Sequence, residues 1–461
     1  MATPALLRGL SNPKLYTPSV VPDSSTIARY LRTCKEKYMA DLQAKGSAKD
    51  WTVAMGNEAA GSHLDSIASS IAFAWYESEI NKNPAIPFVQ VLHKDFRLRG
   101  ENIHAFQLAG LDTSDLDIPE LICVDDLFLS SQKFPSNKFI LVDHNVILPH
   151  FLVENDDARV TAVIDHHVDE GKYHDTANPR VIEPVGSCCS LVTRLFHASG
   201  LPAELATLLL CAILLDTHGL KEGGKARQAD YEAAAFLVPR STFAASVEPN
   251  FLQADSVAAA PALMELTAEL SSKKDAVAEI ETKDLLRRDY KQYVLEVPWA
   301  GQKVAINAGL ATVPLGLRDW MGRDDFWGAA REWMEERRLS VFGILTSFRD
   351  ETHTNKHGKP KHRREMVWLL KEEIADSESK NVGSLSVDAL AEKLWKGIKA
   401  SSELSVKHVH ASDVHDAYGA DLTKVPPTMR AKVYKQGNAD ATRKVTAPLM
   451  KQILEDSSST T

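Results

Sequence analysis

Val160-Thr161-Ala162-Val163-Ile164-Asp165-His166-His167 is a short β-branched, apolar run that empties directly into a carboxylate and two imidazoles. A run of this length and composition predicts a buried strand, so the three polar side chains should stand together at its carboxyl end. A neutral imidazole ligates a divalent transition metal through one ring nitrogen, and a neighbouring carboxylate can fix its tautomer. The pattern recurs along the chain. Lys138 to Val142 runs into Asp143-His144-Asn145, Leu121 to Val124 into Asp125-Asp126, and Trp51 to Met55 into Gly56-Asn57 and then His63-Leu64-Asp65-Ser66. In an open parallel sheet, ligands bind beyond the carboxyl ends of the strands, so these termini are expected to converge on one crevice.

Strand and helix signals alternate on both sides of that run. A helix capped by Ser24 or Ser25 and reaching about Lys45 is followed by strands at 51–55, 87–92, 121–124, 138–142 and 160–164, with helices at 63–79 and 101–109 between them. Such alternation predicts βαβ units and an α/β fold with a mainly parallel sheet flanked by helices. Residues 187–239 read as three helices, of which Leu205 to Leu215 is apolar nearly all round and therefore buried. With 461 residues the chain exceeds the usual single-core size. Three regions are expected: a metal-binding catalytic domain over 1–240, a helical linker over 241–290, and a smaller α/β substrate-binding domain over 291–461. In the last, strands are expected at 293–297, 303–306 and 339–345, and helices near 326–337, 387–399 and 440–454.

Lys and Arg number 53 against 62 Asp and Glu, a net charge of −9, which gives no general attraction for nucleic acid or anionic lipid. A polyanionic ligand would have to be held by local cations or by bound metal. The five cysteines are scattered and form no C-x-x-C pair, so they read as reduced thiols; Cys188 and Cys189 are assigned to core packing or a helix start. The longest apolar stretch, Ala206 to Leu215, is too short to span a bilayer. The expectation is a cytoplasmic monomer with neither a membrane nor a nucleic-acid partner.

Carboxylate and imidazole ligands without thiolate suit Mn²⁺, Mg²⁺ or Co²⁺, and two such ions side by side can activate a water for in-line attack on phosphorus. The hard donors available are Asp65, Asp143, His166 and Asp216, with His63 as a further candidate. Asp216 closes the apolar segment Leu214-Leu215-Asp216-Thr217-His218, where a carboxylate is costly unless paired or ligating. Asp125 and Asp126 read as helix-cap and turn residues, His63 either as a ligand or as a solvated loop residue, and Asn57 either as a substrate contact or as support for a turn.

These elements, in this order, resemble the DHH phosphoesterase superfamily, in the branch shared by fungal cytosolic exopolyphosphatases and the prune proteins. The resemblance is carried by Asp165-His166-His167, by Gly56-Asn57-Glu58 with Leu64-Asp65-Ser66-Ile67, by Asp143-His144-Asn145, by Gly186-Ser187-Cys188-Cys189-Ser190 and by Asp216-Thr217. In the second half, Gln436-Gly437-Asn438 and Thr442-Arg443-Lys444 resemble the basic phosphate-binding signature of the DHH-associated domain. The resemblance implies metal ligation by Asp65, Asp143, His166 and Asp216, with Asp143 bridging two ions. It further implies that His144 and His167 bind or protonate phosphate oxygens and that Arg443 and Lys444 clamp the substrate from the second domain. Where the family has Asp-x-Asp-Ser, this chain has His63-Leu64-Asp65-Ser66 with about two extra residues before it. Imidazole can replace the carboxylate as a ligand at the cost of one negative charge.

The implied activity is exopolyphosphatase: release of terminal orthophosphate from inorganic polyphosphate in a cleft between the two domains. A prune-like short-chain polyphosphatase, nucleotide phosphodiesterase or pyrophosphatase is the alternative of the same class, and a catalytically silent adaptor that keeps the fold is the alternative of another. The run Lys356-His357-Gly358-Lys359-Pro360-Lys361-His362-Arg363-Arg364 is read either as a flexible loop or as a cationic track for extended substrate.

Overall fold

A computed structural model describes residues 25–57, 63–127, 133–300, 304–354, 358, 360–371 and 386–457. Its contacts divide the chain into two units, Met1–Lys274 and Asp275–Thr461.

The first unit is built on six strands: β1 (Thr52–Met55), β2 (Ala85–Val89), β3 (Ile122–Cys123), β4 (Lys138–Val142), β5 (Arg159–Asp165) and β6 (Arg180–Ile182). They lie in the order β3-β2-β1-β4-β5-β6, and every neighbouring pair is parallel. The order reverses between β1 and β4, so the crevice of this sheet opens at their carboxyl ends. The helices are α1 (Thr26–Lys45), α2 (Leu64–Trp75), α3 (Gly100–Leu108), α4 (Val124–Leu127), α5 (Cys188–Thr193), α6 (Ala203–Thr217), α7 (Gln228–Leu237) and α8 (Pro261–Asp275).

Local chemistry accounts for most of these boundaries. The Ser25 side chain accepts from the Ala28 amide and starts α1, and Gly46 in the left-handed conformation ends it. Every residue of α2 is buried, because the helix packs on β1, β2, α5 and α6 at once. The expected helix 63–79 is α-helical only to Trp75 and continues as a π-turn over Tyr76–Ile80. The expected strand 87–92 ends earlier, at Val89, where the Gln90 side chain turns to the Gly56 carbonyl at 2.6 Å. β6 went unforeseen: three partly buried residues carry too little hydrophobic period to declare a strand.

The second unit carries α9 (Thr282–Arg288), β7 (Tyr290–Val297), β8 (Val304–Val313), α10 (Leu317–Trp320), α11 (Phe326–Glu336), β9 (Val341–Thr346), β10 (Phe348–Thr354), β11 (Pro360–Lys371), α12 (Val387–Ala400), β12 (Val406–Val409), α13 (Ala411–Tyr418), β13 (Met429–Gln436) and α14 (Arg443–Glu455). Its mixed sheet runs β12-β13-β11-β9-β8-β7, with β10 paired to β11. The period-two alternation of β11 feeds two cores. Met366, Trp368 and Leu370 face α12 and α14, whereas Val367 and Leu369 join the cluster of Leu285, Trp320, Trp333 and Val414.

The stretch 241–290 divides between the units: Val257, Leu263, Leu266 and Leu270 are buried in the core of the first, Val277, Leu285 and Leu286 in that of the second. Of the basic run, Lys361 to Arg364 form the first part of β11, while Lys356, His357 and Lys359 fall outside the described residues. Arg363 is held by Asp350 at 2.7 Å, and Arg364 donates through Nε to the Ala439 carbonyl at 2.6 Å. Those two cations are therefore strand residues with partners, and Lys361 is exposed.

Candidate metal centre

Asp143 follows the last residue of β4 and has φ +62°, a left-handed conformation that non-glycine residues seldom adopt. Its amide donates to the Ile164 carbonyl of β5 at 3.0 Å, which holds the carboxylate over the end of that strand. Oδ1 lies 3.0 Å from His166 Nε2 and 3.7 Å from His167 Nδ1. Ser66, in the first turn of α2, donates its hydroxyl to the Asp143 carboxylate, and the Asn57 side-chain amide donates to the Asp143 carbonyl at 3.2 Å.

The two histidines are oriented by different means. His166 is fixed through Nδ1 by the Val185 carbonyl at 3.0 Å, which directs Nε2 toward Asp143. Burial disfavours the imidazolium there, but the bond from Asp143 and the Asp65 charge outweigh it and push the His166 pKa up to about 9. His167 is bound through Nδ1 by Asp165 Oδ1 at 2.8 Å and is half-exposed. Asp165 is fully buried and also accepts from the His166 and His167 amides and from Asn145 Nδ2 at 2.6 Å. Burial would raise its carboxyl pKa, yet these bonds, that from His167 first, hold it below the usual carboxylate range.

Asp65 stands in the first turn of α2, with Oδ2 4.0 Å from His166 Nε2. Its carboxylate accepts from Ser187 Oγ at 2.6 Å, the Cys188 amide at 2.8 Å and the Cys189 amide at 2.9 Å, at the start of α5. Asp216 lies one residue before the end of α6; burial and the charge of Asp65 push its carboxyl up to about 7. Asp65, Asp143 and Asp216 add to one another's negative charge around His166, with Lys225 and Lys274 acting on Asp216 only through space, and a bound cation would offset that repulsion. This donor set of oxygen and imidazole nitrogen fits a hard divalent metal.

The expected residues are not all brought equally close. Asp143, His166 and His167 offer ligand atoms within 4.8 Å of one another, whereas Asp65 and Asp216 lie outside that tight group. His63 is the cap residue of α2, where its carbonyl accepts from the Ile67 amide, and it is not part of the group either. His144 donates through Nδ1 to the Val142 carbonyl at 2.9 Å. Its Nε2 is buried without a partner among the described residues, and burial lowers its pKa, so it offers a lone pair and no second proton. Glu58 falls outside the described residues.

In the second unit, Arg443 opens α14 and is tied to Asp289 by an ion pair of 2.8 Å and a 3.0 Å bond to its carbonyl. Lys444 beside it is exposed. Asp126 accepts from the Cys123 amide three residues before it at 2.8 Å, a local turn bond, whereas Asp125 accepts from the distant His93 amide at 3.1 Å. A second group of possible ligands, His93, Cys123 and Asp126, is already an ionic hub, since His93 is flanked by Asp117 at 2.7 Å and Asp126 at 2.9 Å and Lys35 lies 3.1 Å from Asp126.

The supporting residues Ser66, Asn145 and Asp230 were not given roles from sequence. The first two adjoin the motif residues they serve, and that adjacency is the available signal. Asp230 carries a helix-start pattern and nothing else.

The chain matches known families in both of its halves. Residues 59–213 match the model of the DHH family N-terminal domain and residues 268–453 that of the DHHA2 domain. A putative exopolyphosphatase of Schizosaccharomyces pombe is 30% identical over 350 residues, covering 70% of this chain and 81% of that protein. Exopolyphosphatase PRUNE1 of Homo sapiens is 25% identical over 92% of this chain and 79% of its own length. A probable manganese-dependent inorganic pyrophosphatase of Streptococcus thermophilus is 38% identical over 96 residues, 20% of this chain and 30% of that one. A solved structure, the Methanococcus jannaschii putative family II inorganic pyrophosphatase, aligns over 88% of this chain and 99% of its own at 16% identity with a TM-score of 0.48. With matching models over both halves and a relative of this identity and coverage, the chain belongs to the DHH family.

Proposed function

We propose that the protein is an exopolyphosphatase that removes terminal orthophosphate from inorganic polyphosphate. The observation that carries the reading is the convergence of Asp143, His166 and His167 at the point where the parallel sheet reverses order. The relatives named exopolyphosphatase supply the substrate class.

Asp65, Asp143, His166 and Asp216 would hold divalent metal, with Asp143 shared between two ions, His63 as a further candidate ligand and Asn57 as a candidate substrate contact. When bound, Mn²⁺, Mg²⁺ or Co²⁺ lowers the pKa of a water and offsets charge on the attacked phosphoryl group. The residues of the chain do the rest. Asp165 accepts from His167 Nδ1, so Nε2 carries a proton for a phosphate oxygen or for the oxygen of the leaving polyphosphate in the imidazolium form, and accepts in the neutral one. His144 accepts at Nε2 and so favours a protonated phosphate oxygen or a water over a bare oxyanion. The bond from the Asp143 amide to the Ile164 carbonyl supports its left-handed backbone and the Ser66 hydroxyl holds its carboxylate, which pre-orients it before substrate arrives. Arg443 and Lys444 are the cations proposed to bind the chain of phosphates beyond the attacked one.

The test is phosphate release from a polyphosphate ladder with each metal in turn, beside pyrophosphate and nucleotide substrates. Shortening from the end with release of orthophosphate is expected. Faster cleavage of pyrophosphate than of polyphosphate would make the protein a pyrophosphatase, and no release under any metal would leave it a binding protein.

A further inference from the structure

Asp230 is the one fully buried carboxylate of α7, and all four groups around its two oxygens are donors. Oδ2 accepts from the Gly186 amide at 2.8 Å and the Arg227 amide at 2.7 Å; Oδ1 accepts from Ser190 Oγ at 2.6 Å and the Ser187 amide at 3.2 Å. A cap for α7 needs only the bond from Arg227. The other three reach across to the turn 185–190, 40 to 44 residues away in sequence.

That turn serves the proposed metal ligands directly. The Val185 carbonyl holds His166 Nδ1, and Ser187 Oγ with the Cys188 and Cys189 amides holds both oxygens of Asp65. Gly186 is seated between Asp230 and Thr217, the residue after Asp216. A Cβ there would stand 2.6 Å from Thr217 Cγ2 and 2.8 Å from Asp230 Oδ2, so only glycine lets the turn in this far. One turn therefore touches Asp65 and His166 and packs against the end of α6 that carries Asp216.

We infer that Asp230 is a positioning residue for the metal centre: by anchoring the turn 185–190 it sets the angle of His166 and Asp65 before any metal arrives. The inference rests on the proposed ligation by Asp65 and His166. Partners that orient ligands from outside the coordination shell change metal affinity by about 10–100-fold when removed. Asp230→Asn is the direct variant, because an amide must turn its NH₂ toward a donor and so loses at least one bond while keeping the volume.

The experiment measures Mn²⁺ affinity of the metal-free full-length protein by titration calorimetry and by electron paramagnetic resonance of free Mn²⁺, alongside thermal unfolding in chelator. Three variants are compared with wild type: Asp230→Asn, Ser190→Ala and Phe134→Leu. The last weakens the buried aromatic cluster that Phe134 forms with Phe88, Phe139 and Phe151. Asp230→Asn is expected to weaken Mn²⁺ at least tenfold, Ser190→Ala about threefold, and Phe134→Leu less than twofold even if its Tm falls as far. Unchanged affinity in Asp230→Asn, or an equal loss in Phe134→Leu, overturns the positioning role. Should Asp230→Asn not fold, unchanged affinity in Ser190→Ala overturns it. A wild-type protein that binds no Mn²⁺ removes the metal centre itself, and that failure is visible without any variant.

Discussion

Metal binding at this centre should expel protons, and the number follows from two pKa values. In the metal-free protein His166 is pushed up to about 9 and Asp216 to about 7, and each must lose its proton to become a ligand. At pH 7 His166 is then about fully protonated and Asp216 about half, so Mn²⁺ should release about 1.5 protons; at pH 8 the sum falls to about 1. Integrated from pH 7 to 8, the apparent affinity should rise about 10- to 20-fold, or about 1.7 kcal/mol. The stability of the metal-free protein should move the other way. A raised histidine pKa contributes stability that is complete below the ordinary value of 6.5 and is lost as pH rises through about 9. Titration calorimetry in buffers of different ionisation enthalpy counts the protons directly, and His166→Asn should reduce the count at pH 7 to about 0.5. Fewer than about 0.5 protons from the wild type at pH 7, or an affinity that changes less than about threefold between pH 7 and 8, would refute the assignment of His166 and Asp216 as ligands.

Asp143→Asn should lower kcat more than tenfold, about 1.4 kcal/mol or more, and by more than His63→Ala does, since a residue between two ions holds both. Asparagine is preferred to alanine there because it tolerates the left-handed backbone at φ +62°, and a variant retaining over a tenth of wild-type kcat at saturating metal would end the bridging role. Lys444→Ala should raise KM for polyphosphate with Tm unchanged, whereas Arg443→Ala should raise KM and also cost about 1–3 kcal/mol of stability through the loss of the Asp289 pair. KM unaltered in both would separate the start of α14 from substrate.

What could be read along the chain was whatever two residues a few positions apart decide between them. Val160 to Ile164 running into Asp165-His166-His167 declares a strand and its polar end, Lys138 to Val142 before Asp143 does the same, and the ordered set names the family. Those signals survive because hydrophobic period and motif spacing are local. The strand order β3-β2-β1-β4-β5-β6 is different in kind: it brings Asn57 and Asp143 to adjacent strand ends through pairings 86 residues apart, which no local pattern encodes. The edge strands β6, β10 and β12 and the charged interior strand β13 carry weak or highly charged patterns and exist because neighbours supply their hydrogen bonds. Lys361 to Arg364 looks like a solvated charge run and is a strand because β10 pairs with it. The left-handed turn at Asp143, the Asp289 partner of Arg443 and the grip of Asp230 on the turn 185–190 likewise depend on groups distant in sequence. The residue types of the metal centre are thus a property of the sequence. Their orientation belongs to the tertiary structure, because a carboxylate or imidazole is aimed by the donors and acceptors that folding brings to it.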